Sequence, residues 1–325
     1  MCYSASVVAD HRTFQRMFPT SRLSLQDFHE LYGKRKERTK PLLRTPRVMD
    51  ALFSNPQSDK EREIQELIKA FSEDETAATQ KLVFEQRVRL AAAQRKLAEK
   101  QTKGALEDER IATDKIADGL AKLKALQRTD LSEGDGRIFP QWFAPILMFE
   151  DGQPVIRPMR YQCRPAGMPA KIDRELPGVY NARFDSLRKF WRGLYGRTHG
   201  VMLATTFFEN VKRHDMEHRE LLPGEKPENV VLRFEPRQPH PMWVACLVSH
   251  WTPLPGSSEA PLWSFSAITN EPPPEVASAG HDRCIVELRP QNVQAWLTPA
   301  GRSLDELDQL LLDKEPAYYE HRLAA

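Results

Sequence analysis

The sequence predicts an α+β fold interrupted by a long helical insertion, on three observations. No proline lies between Pro56 and Pro140, and Phe71 and Phe84 are the only aromatic residues between Pro56 and Phe139. That stretch is filled with Ala, Glu, Lys, Gln and Arg, all strong helix formers. After Gly134-Asp135-Gly136 the prolines return, all six tryptophans appear, and short β-prone runs follow one another. Helices sit among these runs without regular β-α alternation, which favours α+β over a doubly wound parallel sheet.

In chain order, Ser24 to Tyr32 reads as a helix. Residues 58–129 read as two or three long helices forming a hairpin, with a turn expected near Thr102-Lys103-Gly104. Ile64, Leu67, Ile68 and Phe71 recur at i, i+3, i+4 and i+7, and Ile116, Leu120, Leu123 and Leu126 form a second stripe. The stripes are narrow and rich in Ala, so the arm is expected to bury little. Strands are expected at Pro145–Phe149, Val230–Phe234, Trp243–Val248, Cys284–Leu288 and around Trp263, Phe265 and Ala267, which alternate with Ser264 and Ser266. Ser303-Leu304-Asp305-Glu306 is a capping box, opening a helix expected to run to about Lys314 before Pro316. The arm thus reads as an insertion, residues 55–132, into one domain built from residues 1–54 and 133–325.

The 325 residues suffice for a sizeable core, and a mean hydropathy of -0.57 suits a chain dissolved in water. No run approaches the roughly 18 apolar residues of a spanning helix. The first ten residues lack a basic flank and reach Asp10 too early for a signal peptide. The four cysteines, Cys2, Cys163, Cys246 and Cys284, form no CxxC pair and suit a reducing cytoplasm. A net charge of +2 leaves any nucleic-acid binding to local clusters.

Four clusters carry chemistry. Removal of Met1 would leave Cys2 as a 1,2-aminothiol, with an amine of pKa about 8 beside a thiol of pKa about 8.5. Such a pair condenses with an aldehyde to an imine and closes it to a thiazolidine, which no internal cysteine can do. The second cluster, Val179 to Arg188, mixes Asn181, Arg183, Asp185 and Arg188 after Pro177-Gly178, and Lys189, Phe190, Trp191 and Arg192 follow it. Interleaved cations and aromatics suit a phosphate-contacting surface or, equally, a helix with a basic outer face. The third places Glu209 after the apolar run Ala204 to Phe208, at a strand end where desolvation suits a carboxylate to proton transfer. The fourth places His281 ahead of an apolar strand. A further basic run, Lys34 to Arg47, reads by default as a solvated linker. His214-Asp215-Met216-Glu217-His218 matches the inverted zinc-peptidase pattern H-x-x-E-H, but charged neighbours surround it and Pro223-Gly224 follows closely.

Taken together, the clusters resemble the SOS response-associated peptidase family, the abasic-site processing proteins. The resemblance lies in order and spacing: Met1-Cys2, Asn181-Ala182-Arg183, Phe207-Phe208-Glu209 and His281-Asp282-Arg283, supported by Phe143-Ala144-Pro145-Ile146, Met159-Arg160-Tyr161 and Ala295-Trp296-Leu297-Thr298-Pro299. It covers the N-terminal segment and roughly residues 137–300, leaving the arm aside. The family's Cys-Gly-Arg opening is here Cys2-Tyr3-Ser4, its Tyr-Glu-Trp is Phe208-Glu209-Asn210, and its Met-Pro is Cys284-Ile285. The resemblance implies a single domain with mixed, largely antiparallel sheets in a barrel-like core, flanked by helices. It implies Cys2, Asn181, Glu209 and His281 as catalytic residues, and Arg160, Tyr161, Arg183 and Arg283 as DNA contacts. The implied activities are covalent capture of abasic sites in single-stranded DNA and autocatalytic removal of Met1. No cofactor, metal or membrane is implied, and the location would be cytoplasmic and nucleoid-associated. Two other readings are a non-catalytic DNA-binding scaffold, whose arm (residues 58–129) self-associates or recruits a partner, and a zinc peptidase at His214, Glu217 and His218.

Overall fold

The computed structural model describes residues 3–38, 42–254, 256–257 and 259–324. The strands are β1 (Ser4–Val7), β2 (Arg22–Leu23), β3 (Arg137–Ile138), β4 (Phe143–Glu150), β5 (Gln153–Tyr161), β6 (Asn181–Arg183), β7 (His199–Lys212), β8 (Asn229–Pro236), β9 (Met242–Trp251), β10 (Leu262–Asn270), β11 (Cys284–Ile285) and β12 (Tyr319–Leu323). The longer helices are α1 (His11–Met17), α2 (Leu25–Lys36), α3 (Asp59–Glu99), α4 (Lys103–Gln127), α5 (Pro290–Leu297) and α6 (Leu304–Leu312).

Five strands close a near-barrel: β4 pairs β5 and β7, β7 pairs β9, and β9 pairs β10, all antiparallel, while β10 returns to β5 in parallel. The fold is therefore α+β with a mixed sheet. Apolar runs account for the ring, because its strands are buried on both faces: on the inside by one another, on the outside by helices. Ile146, Met202, Val244 and Phe265 belong to one core cluster. Leu147, Val201, Ala245 and Ile268 belong to a second, with Trp191 and Trp296.

Strand β7 is longer than the ring requires. Its first half pairs β9, and its second half, from Phe207 to Lys212, pairs β8. Along its other edge Ser4 to Val7 pairs Phe208 to Ala204, so the start of the described chain lies along the strand that carries Glu209.

The hairpin forms as expected, with its turn one or two residues early. α3 ends at Glu99, and Thr102 caps α4 by accepting from the Ala105 N–H, so Gly104 lies inside the second helix. Two expectations need correction. The stripe Ile64, Leu67, Ile68 and Phe71 is not idle: Ile64 is fully buried among Phe28, Tyr32, Met49 and Phe53, with Leu67 and Ile68 packed alongside. Arg35 of α2 lies 4.1 Å over the Phe71 ring. The stem of the arm is thus part of the body's packing. The seam farther out is not the Ile116–Leu120 stripe either, since Leu120 is exposed. Ala105, Ala112 and Gly119 are buried at seven-residue spacing against α3, where Thr79, Val83 and Ala93 are buried. A seam of small residues lets the backbones approach closely. The capping box at Ser303 is present, and α6 stops at Leu312. No helix among the described residues is long and apolar enough to cross a membrane.

Candidate active site

Glu209, His281 and Asn181 come from distant parts of the chain and are all buried. β7 places Glu209 on its inward side with Phe207 and Val211, because alternate residues face the same way. Phe208, between them, points to the other side. His281 follows a short helical turn (Pro274–Ser278) that ends at Gly280, whose φ of +91 suits glycine and turns the chain. A Cβ at Gly280 would also lie 3.1 Å from that of Asp215.

The His281 Nδ1 lies 2.7 Å from the Arg283 carbonyl and 3.3 Å from the Arg283 N–H, so the backbone of Arg283 fixes the ring. The other nitrogen, Nε2, lies 3.2 Å from a Glu209 oxygen. A carboxylate and a ring-nitrogen lone pair attract only through a shared proton. Burial lowers the pKa of His281 and so disfavours the doubly protonated ring. A carboxylate and an imidazole this close are placed to pass a proton between them, as general acid–base work requires.

Asn181 opens β6, which runs parallel to β10 with Ala267 opposite. The Tyr161 hydroxyl donates to its Oδ1 at 3.4 Å, which turns the NH2 end of the amide away from the phenol. The described chain begins beside these groups. The Tyr3 N–H donates to the Phe208 carbonyl at 3.3 Å, and the Tyr3 ring meets the Tyr180 ring edge-on at 6.4 Å. Cys2 lies outside the described residues.

The residues expected to contact DNA separate into two groups. Arg183 and Arg283 share Asp185, at 2.9 and 3.5 Å, so the trio keeps one net positive charge. Arg183 is the more exposed, at 45% of its side chain. The other two correct the expectation. Arg160 forms a bidentate pair with Asp173 and also donates to the Gln162 carbonyl, which leaves its guanidinium engaged. Tyr161 is 1% exposed and stacked on Phe265, so it has no open face for a base; its hydroxyl orients Asn181 instead. The zinc pattern is also corrected. The helical turn there ends at Met216 and His218 has φ +50, so the two histidines share no helix face. Glu217 pairs with Arg213 and Arg219. Among the described residues no group of three or more His, Cys, Asp or Glu is placed to hold a metal.

Residues 87–323 match the family model of the SOS response associated peptidases. The chain belongs to this family. The match begins inside α3, so it takes in the outer hairpin and leaves out β1, although β1 is paired to the matched body through β7. The family's name associates the chain with the SOS response to DNA damage. No curated protein matches the chain. Among solved structures, it is similar to a protein from Bacteroides thetaiotaomicron at 16% identity and TM-score 0.45, covering 62% of this chain and 82% of that one. It is also similar to a phage-related protein from Bordetella bronchiseptica at 18% identity and TM-score 0.41, covering 61% and 85%.

Reasoning from sequence passed over two residues beside this SRAP site. Tyr180 stands between Tyr3 and Tyr161, with rings 6.4 and 5.7 Å away. Arg137 lies 3.8 Å over the Phe208 ring. Tyr180 lies within the Val179–Arg188 cluster but was given no role there, and only the pairing of β1 with β3 and β7 brings Arg137 there.

Proposed function

We propose that the protein captures abasic sites in single-stranded DNA as a covalent thiazolidine on Cys2, after removal of Met1. The observation that carries this reading is the buried Glu209–His281 pair, with Glu209 on the strand that pairs with β1, which begins two residues after Cys2.

The Cys2 amine attacks the C1′ aldehyde of the ring-opened sugar. Collapse of the carbinolamine expels one water and leaves an imine. The Cys2 thiol then adds to the same carbon, and its proton passes to nitrogen. Glu209 promotes ring opening and moves protons to and from the sugar oxygen. His281 supplies or removes the proton on the imine side. Asn181 holds the Cys2 end by hydrogen bonds. An imine alone hydrolyses readily; a thiol in the same residue traps it at high effective concentration. Arg183 and Arg283, with one uncancelled charge, suit a phosphate beside the lesion.

Burial reserves this chemistry for Cys2. The Cys163 thiol is pushed up to about 12, and Cys246 and Cys284 are also raised by burial.

The test mixes protein with single-stranded DNA containing one abasic site and separates the products under denaturing conditions. Wild type gives a shifted band that survives heating, Cys2→Ala gives none, and Cys2→Ser gives at most a labile species. Equal bands from wild type and Cys2→Ala would exclude the mechanism.

A further inference from the structure

We infer that Arg137 is a phosphate-binding residue at the rim of the site, gripping the DNA backbone next to the captured nucleotide, and that the small side chain of Ser4 makes room for it. The identity of the ligand as single-stranded DNA rests on the function proposed above.

Arg137 differs from the other arginines of the site in its charge balance. Arg160 and Arg164 share Asp173, with Arg164 also 3.5 Å from Glu259; Arg183 and Arg283 share Asp185, and Arg233 pairs with Glu133 and Glu235. Among the described residues Arg137 has no carboxylate partner. Its Nε donates to the Ser4 hydroxyl at 3.2 Å, and its guanidinium lies 3.8 Å over Phe208 and 5.0 Å from Phe139. Burial lowers its pKa, the mark of a cation that has lost water without gaining an anion. Such a group binds an incoming anion more strongly than a solvated lysine does. The stacked rings fix the plane of the guanidinium. Among the described residues its two terminal nitrogens have no hydrogen-bond partner, so they can present a fork to phosphate oxygens.

Its position fits the backbone rather than the reacting sugar. Arg137 covers Phe208, which faces away from Glu209 on β7. Ring contacts lead from Phe139 to Tyr3 and on to Tyr180, the neighbour of Asn181. In the strand order β3 lies at one end and β11, with β10 next to it, at the other, while Glu209's strand lies between. Arg137 on β3 is separated from the strand of Glu209 by β1 alone, whereas Arg183 lies on β6, beside β10, and Arg283 directly precedes β11. Ser4 is fully buried beneath Arg137, and a long side chain there would take the guanidinium's place.

The experiment measures binding of an undamaged, labelled oligothymidine by anisotropy across a salt series, for wild type, Arg137→Gln and Arg137→Lys. Arg137→Gln is expected to weaken binding about tenfold at low salt. Its plot of log affinity against log salt should be shallower by about 0.7, the value for one phosphate on a single strand. Arg137→Lys should keep the wild-type slope and recover part of the affinity. A folded Arg137→Gln with unchanged slope and affinity would overturn the inference, leaving the crosslinking reading intact. A reduced slope in a protein that does not crosslink would support the inference and exclude that reading. If Arg137→Gln fails to fold, phenylglyoxal modification of wild type decides: oligothymidine should shield Arg137 in the peptide map, and unchanged modification would overturn the inference.

Discussion

Single residues in this protein are set apart by what burial does to their protons. Glu209 and His281 are closed off from solvent and lie 3.2 Å apart, so removing either should slow capture without abolishing DNA binding. Glu209→Gln and His281→Ala are each expected to lower the single-turnover crosslinking rate by about 100-fold or more, the usual effect of deleting an acid–base group. Affinity for undamaged DNA should stay within about twofold. His199 shows the opposite use of burial. It stacks on Trp296 at 3.8 Å, accepts from the Gly196 N–H and lies 2.9 Å from the Trp296 carbonyl, with its pKa lowered to about 4. A histidine held below its unfolded value near 6.5 is protonated more readily in the unfolded chain. Its stabilising effect is full above pH 6.5 and is lost as the pH falls toward the folded value, by roughly 3 kcal/mol at about pH 4. His281 is shifted in the same direction and adds to the loss. Melting temperature should therefore fall steeply over that window in wild type and less steeply in His199→Gln. Parallel declines would refute the assignment.

At the scale of elements, the hairpin shows what a sequence stripe conveys. Helix content and the turn near residue 102 were legible because propensity and capping are local. The packing seam was not, since Ala105, Ala112 and Gly119 carry no hydrophobic signal and are buried only because α3 approaches them. Gly119 is the tightest point: a Cβ there would fall 2.5 Å from a Val83 methyl. Gly119→Leu should push the helices apart and destabilise the arm by about 1–3 kcal/mol, as overpacking commonly does. Hydrogen exchange should show faster exchange in the outer hairpin. Crosslinking by the body should be unchanged, because the stem is anchored separately by Ile64 and Phe71. A uniform loss of protection through the barrel would contradict this division.

At the scale of the whole molecule, the fold brings Glu209 and His281, far apart in sequence, within 3.2 Å of each other. The sequence marked most ring strands, because buried runs such as Trp243 to Val248 stand out. It did not mark the closure of the ring, which depends on the parallel pairing of Ser264 and Phe265 with Arg160 and Tyr161. That pairing also explains why two of the expected DNA contacts are engaged within the fold. Arg160 and Tyr161 look like surface residues in a motif, but they sit where two strands join, where Asp173 and Phe265 engage them. Motif order singled out Asn181, Glu209 and His281 as candidates, whereas Arg137 meets Ser4 only through pairing across more than a hundred residues.

The most direct measurement is the intact mass of the product formed with an abasic single strand, followed by peptide mapping. The account predicts a mass equal to protein without Met1 plus DNA, less one water, with the attachment at Cys2. A product that retains Met1, or that carries the DNA on any other residue, would contradict it.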